Sequence, residues 1–233
     1  MKFGARLETI AKWVPQNKKI ADIGTDHAYL PVFLVRNGVI VKAIAGDIAL
    51  GPCQAAVKTI TAAGLKESIE VRQGNGLSIV QSEDAVEVIV IAGMGATTMI
   101  EIIATEQKTA KLAERIILQP MNGAAQLRKW ANRAGWKIVG EDLVLEGGLL
   151  YEIIVLEPGA EESYTKAIYE IGPRLLEQRH PLLSIHFERI IANYHKLLQA
   201  MNASAKARKS LKYKKIATLL VEVEVLKNEY NRS

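Results

Sequence analysis

The chain has 233 residues, 49% of them hydrophobic and 24% charged, with thirty Lys/Arg against twenty-five Asp/Glu. That is a globular composition with enough apolar material for a real core, so neither disulfides nor a structural metal is needed to explain folding. The single cysteine, Cys53, excludes an internal disulfide framework and a cysteine-cluster metal site, and the longest nearly uncharged run, residues 88–100, is short of the ~20 residues that cross a bilayer.

Met1-Lys2-Phe3-Gly4 leads into charged Arg6 and Glu8 rather than an apolar signal core, so a cytoplasmic address with no membrane association is expected. The first strand is predicted at Lys19–Ile23 and runs into Asp22-Ile23-Gly24-Thr25-Asp26-His27-Ala28-Tyr29-Leu30-Pro31. A glycine at the end of a first strand permits a tight turn and a close backbone approach to a ligand. A dinucleotide loop of the G-x-G-x-x-G kind needs glycines at 26 and 29, but Asp26 and Tyr29 stand there. A carboxylate at 26 repels a pyrophosphate and suits a cationic ligand such as S-adenosylmethionine, which carries a sulfonium and an ammonium. The alternative for Asp26 is a helix cap.

A helix is predicted over Tyr29–Arg36 and a second strand over Ile40–Gly46, followed by Asp47. An acid at that position accepts hydrogen bonds from both ribose hydroxyls of a nucleoside cofactor, or caps the next helix, predicted over Leu50–Ala63. The third strand, Ile69–Gln73, ends in the turn Gly74-Asn75-Gly76, where Asn75 meets an adenine edge or only forms the turn. The fourth, Val86–Ala92, runs into Gly93-Met94-Gly95 at the expected switch-point crevice, before a helix at Ala96–Ala104. No acid-Pro-Pro-aromatic tetrad follows it, so an exocyclic adenine amine in DNA is a poor substrate choice.

Arg115–Gln119, a helix at Ala124–Arg133, Trp136–Val144 and Leu149–Leu156 complete the first part. Only Glu146-Gly147-Gly148 separates the last two strands, which must therefore form an antiparallel hairpin. Alternating strands and helices imply an α/β fold, and seven strands ending in such a hairpin describe the Rossmann-like methyltransferase sheet.

The turn at Glu157-Pro158-Gly159 divides the chain into an expected catalytic domain at 1–158 and a helical appendage at 159–233. The first part carries seventeen basic and seventeen acidic residues, and the second thirteen and eight, so the whole net charge of +5 belongs to the appendage. Apolar stripes at Ile168–Leu176, Phe187–Met201 and Ile216–Tyr230, with breaks at Gly172-Pro173 and His180-Pro181, predict a helical hairpin of coiled-coil type. Its tip lies within residues 196–215, which hold seven Lys/Arg, among them Lys206, Arg208, Lys209 and Lys212, and no acid. Such a run either is a solvated face or binds phosphate; the density of charge, with Tyr213 among it, favours RNA.

Taken together, the loop from Asp22 to Pro31, Ala92-Gly93-Met94-Gly95, Leu118-Gln119-Pro120, Leu127-Arg128-Lys129-Trp130 and Tyr151-Glu152-Ile153 resemble the bacterial tRNA (adenine-22-N1)-methyltransferase family over about residues 5–157. The resemblance implies an S-adenosylmethionine-dependent enzyme that methylates N1 of an adenine in the D-arm region of tRNA. It puts Asp22, Gly24, Asp26 and His27 around the methionine portion of the cofactor. Asp47 falls on the ribose, Asn75 and Gly76 near the adenine, and Gly93-Met94-Gly95 beside the methyl group. Arg6 belongs to a segment that closes over the cofactor. Many relatives carry an acid where Asn75 stands, so the adenine contact departs from the pattern here.

N1 of adenine has an in-plane lone pair, so catalysis needs alignment and electrostatics rather than a covalent nucleophile. The target base must be unpaired or flipped. Tyr29, Met94 and Tyr151 are candidate walls for it, with an ordinary core role as the alternative for each. His27 either orients the base or bonds its own turn, Asp26 is placed to stabilise the cationic product, and Gln119 and Asn122 either bond the base or belong to the loop. Asp26, His27, Met94 and Asn122 thus form the candidate catalytic set, with Arg128 either at phosphate or on a solvated face. The competing functions are methylation of another RNA or a small molecule by the same fold, and non-catalytic RNA binding; a metal and an obligate protein partner are not expected.

Overall fold

The computed structural model describes residues 3–232, and the chain divides into two compact units between Glu161 and Glu162. The first contains, in order, α1 (Ala5–Lys12), β1 (Ile20–Ile23), α2 (Tyr29–Arg36), β2 (Ala43–Asp47), α3 (Leu50–Ala63), β3 (Ile69–Gln73), β4 (Val88–Gly95), α4 (Ala96–Thr105), α5 (Gln107–Ala110), β5 (Arg115–Asn122), α6 (Ala124–Arg133), β6 (Trp136–Glu146) and β7 (Leu149–Pro158). The seven-stranded sheet has the order β3-β2-β1-β4-β5-β7-β6. β1 to β5 are parallel, whereas β7 runs antiparallel to both β5 and β6.

Both faces of the sheet are covered, which is why its central strands are apolar without alternation. Ala21, Ile23, Ile89, Ile91, Ile116 and Leu118 point to one side, where Met99 and Ile103 of α4 and Leu127 and Ala131 of α6 pack on them. Ile20, Val88, Val90, Ile117 and Val155 point to the other, under Ile10 of α1, Leu34 of α2 and Ile60 of α3. The β6–β7 turn is Gly147-Gly148, with φ of +58° and +79°. Positive φ at both central residues matches the twist of a two-residue hairpin, and glycine reaches it without strain. Among the described residues no helix is long and apolar enough to cross a membrane.

Strands β4, β5, β6 and β7 each run past their predicted ends, and β1 and β2 start later than predicted. β4 and β5 extend through Gly95 and Asn122, pairing with each other across a bulge after Ala92. β2 begins at Ala43 rather than Ile40, and Val41 is exposed. Helix α1, which the sequence pattern does not predict, starts at Gly4 with no side-chain cap.

The second unit holds α7 (Lys166–Ile171), α8 (Pro173–Glu177), α9 (Leu183–Asn202), α10 (Ala205–Arg208) and α11 (Leu211–Arg232). Thr165 caps α7 by accepting from the Ile168 amide at 3.3 Å. Gly172 (φ +111°) and Pro173 at the first position of α8 make the predicted break. α9 and α11 pack side by side, with the Phe187 and Tyr230 rings 5.9 Å apart. The buried apolar side chains Phe187, Ile190, Leu220 and Val223 lie away from the tip, while Leu197 is exposed. The reversal contains one helical turn, α10, capped by Ser204.

Candidate functional site

The C-terminal ends of β1, β2, β3 and β4 and the face of α4 enclose a cavity of about 500 Å³. Gly24, Asp47, Asn75, Gly76 and Met94 line it from the strand side. Thr98, Glu101, Ile102 and Thr105 line it from α4 at helical spacing. Sequence reasoning misses these α4 residues, although their i, i+3, i+4, i+7 pattern behind a glycine-rich loop is a usable signal.

The loop after β1 is held in an uncommon backbone shape. Gly24, Asp26 and Ala28 have φ of +75°, +51° and +53°. The amides of Gly24 and Thr25 both donate to the Gly46 carbonyl, at 2.8 and 2.9 Å. Two non-glycine residues in the left-handed region each cost about 1–3 kcal/mol, which the surrounding packing must supply. Asp22 is buried and accepts a 2.6 Å hydrogen bond from the Thr25 hydroxyl. Desolvation, partly opposed by that bond and aided by the nearby Asp47 charge, pushes its carboxyl up to about 6.

A Cβ on Gly24 would displace the Met94 methyl, and the φ of +75° itself favours glycine there. Asp47 ends β2, and its Oδ1 accepts from the Ala49 amide at 2.9 Å. The cap position of α3 is Ala49, with no side-chain cap bond. Asp26 is no cap either, since Ala28 occupies that position of α2. The Asp26 side chain is 71% exposed, with its Oδ1 3.7 Å from His27 Nε2, and the His27 ring stacks on Tyr29 at 5.0 Å.

Arg6 does not line the cavity. Helix α1 brings it to β5 and β7, where its Nη1 donates to Gln119 Oε1 at 2.6 Å and its guanidinium lies 5.6 Å from the Tyr151 ring centre. Glu146, at the hairpin, accepts from the Arg6 amide at 3.4 Å and so holds the helix start. The Nη1 atom is 3.8 Å from where a Cβ on Gly93 would sit, so Arg6 faces the crevice beside the β4 loop. Asn122 lies on the same edge, its Oδ1 3.3 Å from the corresponding point on Gly95.

Two expectations are corrected. Arg128 is fully buried, with Nε 2.5 Å from Glu141 Oε1 and Nη2 2.8 Å from Glu152 Oε2. It cannot meet an RNA phosphate, and it is not a solvated face. Gln119 is also fully buried, its acceptor spent on Arg6 and its amide donating to the Pro120 carbonyl at 3.0 Å. Its part is to hold Arg6 rather than to touch a base.

The residues present suit a cationic nucleoside cofactor. A buried carboxyl raised by desolvation gains from a cation, Asp47 stands at a cavity of small-molecule size, and Gly24 gives the backbone closeness. The sheet order, the antiparallel β7 and this cleft at the switch point define a Rossmann-like methyltransferase. Residues 20–225 match the model of the tRNA (adenine(22)-N(1))-methyltransferase family. Among its relatives, the Bacillus subtilis tRNA (adenine(22)-N(1))-methyltransferase is 30% identical over 232 residues, covering 97% of this chain and 96% of that one. The solved structure of Streptococcus pneumoniae Sp1610 in complex with S-adenosyl-L-methionine is 36% identical, with a TM-score of 0.82 over 95% of this chain and 99% of that chain. A Mycoplasma capricolum relative in complex with S-adenosyl-homocysteine is 25% identical, with a TM-score of 0.83 over 97% of each chain. The chain belongs to the tRNA (adenine(22)-N(1))-methyltransferase family.

Proposed function

We infer that the protein transfers the methyl group of S-adenosylmethionine to N1 of adenine 22 in tRNA, and that it does so in the cytoplasm, where its substrate is. The observation that carries this reading, within the family just named, is the cavity at the switch point with Asp47 on its wall and the buried Asp22 two residues before Gly24, which lines it.

Asp22 and Asp26 would supply the negative charge for the cofactor's cationic end, Arg6 would be the cation for its carboxylate, and Asp47 would accept from the ribose. Gly24, Gly76 and Gly93 would keep the backbone near, and Asn75 would meet the adenine. When bound, S-adenosylmethionine supplies an electrophilic methyl group, which the N1 lone pair takes as the carbon–sulfur bond breaks and its electron pair stays on sulfur. Met94 and the Gly93–Gly95 backbone bound the space in which nitrogen, carbon and sulfur align. The exposed Asp26 carboxylate and the His27 ring would stabilise the positive charge that the base acquires. Tyr29, stacked on His27, and Tyr151, under Arg6, wall the base, and Asn122 bonds its edge.

We further assign residues 1–158 to catalysis and 159–233 to holding tRNA, through Lys206, Arg208, Lys209 and Lys212. The acid-free run of seven cations supports this, as does the division of the chain close to that boundary. Phosphate contacts of this kind position an RNA without reading its sequence.

Incubating the purified protein with unmodified bulk tRNA and methyl-labelled cofactor, then mapping the labelled nucleoside, tests the reading. The expected product is 1-methyladenosine at position 22; another nucleoside, or label elsewhere, overturns it.

A further inference from the structure

The cavity is lined by a carboxylate to which the methyl transfer gives no task. Glu101 lines it from the second turn of α4, and among the described residues it makes no hydrogen bond or ion pair. Its neighbour Ile102 presses on the opposite wall, with Cγ2 3.0 Å from where a Cβ on Gly76 would sit. That contact sets the Glu101-Ile102 step of α4 against the Asn75-Gly76 step after β3. Asn75 and Glu101 therefore line the cavity on neighbouring steps of the β3 turn and α4, in the same cavity as Asp47.

These two polar side chains differ in kind. Asn75 offers both a donor and an acceptor, whereas an ionised glutamate only accepts. An adenine edge presents one amino group, N6, that can only donate, beside ring nitrogens that only accept. We propose that Glu101 accepts from N6 of the cofactor's adenine and so makes the pocket select adenine over hypoxanthine. Glu106, which also lines the cavity, lies beyond the last turn of α4 and is further along the chain from the Ile102–Gly76 contact. The inference rests on the cofactor reading given under the proposed function.

Calorimetric titration with S-adenosylhomocysteine and with S-inosylhomocysteine, which carries a carbonyl in place of the amine, tests it without turnover. Wild-type protein is expected to bind the adenosyl compound at least about tenfold more tightly, the scale of one charge-assisted hydrogen bond. Glu101→Ala should remove most of that preference by weakening the adenosyl compound alone. Glu101→Gln, which keeps an acceptor oxygen, should restore part of it, a rescue that loss of packing does not produce. Both substitutions fall on an exposed helical position, so the fold is retained. Unchanged preference in Glu101→Ala, equal weakening of both ligands, or a preference that disappears only in Asn75→Ala overturns the proposal. Wild-type protein that binds neither compound overturns the cofactor reading itself, a separate outcome.

Discussion

Asp22 carries a proton in the folded chain over a pH range in which an exposed aspartate has already lost it. With its carboxyl at about 6 and an unfolded value near 4, the native state binds more protons between those limits. Stability of the ligand-free protein therefore falls as pH rises through that window, by roughly 3 kcal/mol in all. A bound ammonium favours the ionised form, so proton release is coupled to binding. The affinity for S-adenosylhomocysteine is expected to rise up to about tenfold per pH unit from 5 to 6 and to level above 7. Titrations of Asp22→Asn should show weaker binding without that slope. Arg128 gives the opposite lesson, since its charge is entirely enclosed by Glu141 and Glu152. Arg128→Ala leaves two carboxylates without their partner in or near the core and should cost about 3–5 kcal/mol in urea unfolding. No local pattern foretells this, because the partners lie thirteen and twenty-four residues away on β6 and β7. A basic residue on an amphipathic helix reads as solvated until its neighbours across the fold are known.

Elements whose borders are written in local chemistry are legible. α2, α3, α6 and β3 fall where apolar periodicity and flanking turn residues put them. The glycines of Gly93–Gly95 and the proline of Pro120–Asn122 look like loop, yet pairing with the neighbouring strand keeps them in β4 and β5. Helix α1 is eight residues long and lacks a capping side chain, and it is held instead by Glu146 from a distant turn. The contacts of Arg6 with Gln119 and Tyr151 are not legible either, because they join α1 to strands more than a hundred residues away. The hairpin allows a clean test of turn chemistry, because nothing lies within 4 Å of a Cβ on Gly147 or Gly148. Alanine at either position meets only the backbone penalty, about 1–2 kcal/mol, measurable as a lower midpoint in urea. Asparagine, which tolerates this region, should recover most of it.

At the scale of the whole molecule the charge is divided, with none in excess on residues 1–158 and all of it on the helices that follow. Replacing Lys206, Arg208, Lys209 and Lys212 together by glutamine should weaken tRNA binding. It should also flatten its dependence on log salt by about 0.7–0.9 for each phosphate no longer neutralised, while calorimetry with the cofactor product stays unchanged. An unaltered salt slope assigns the run another purpose. The strand order has a consequence for how the chain is made. β7 is the last strand of the sheet to be synthesised, yet it lies inside the sheet between β5 and β6. Until residue 158 has left the ribosome, β5 presents an unpaired apolar edge and β6 has no neighbour, so a nascent chain ending near Gly148 exposes an aggregation-prone strand. The second unit is entirely helical, an architecture that folds faster than a parallel sheet. Its helices follow immediately, so the second unit is expected to fold soon after the sheet is closed.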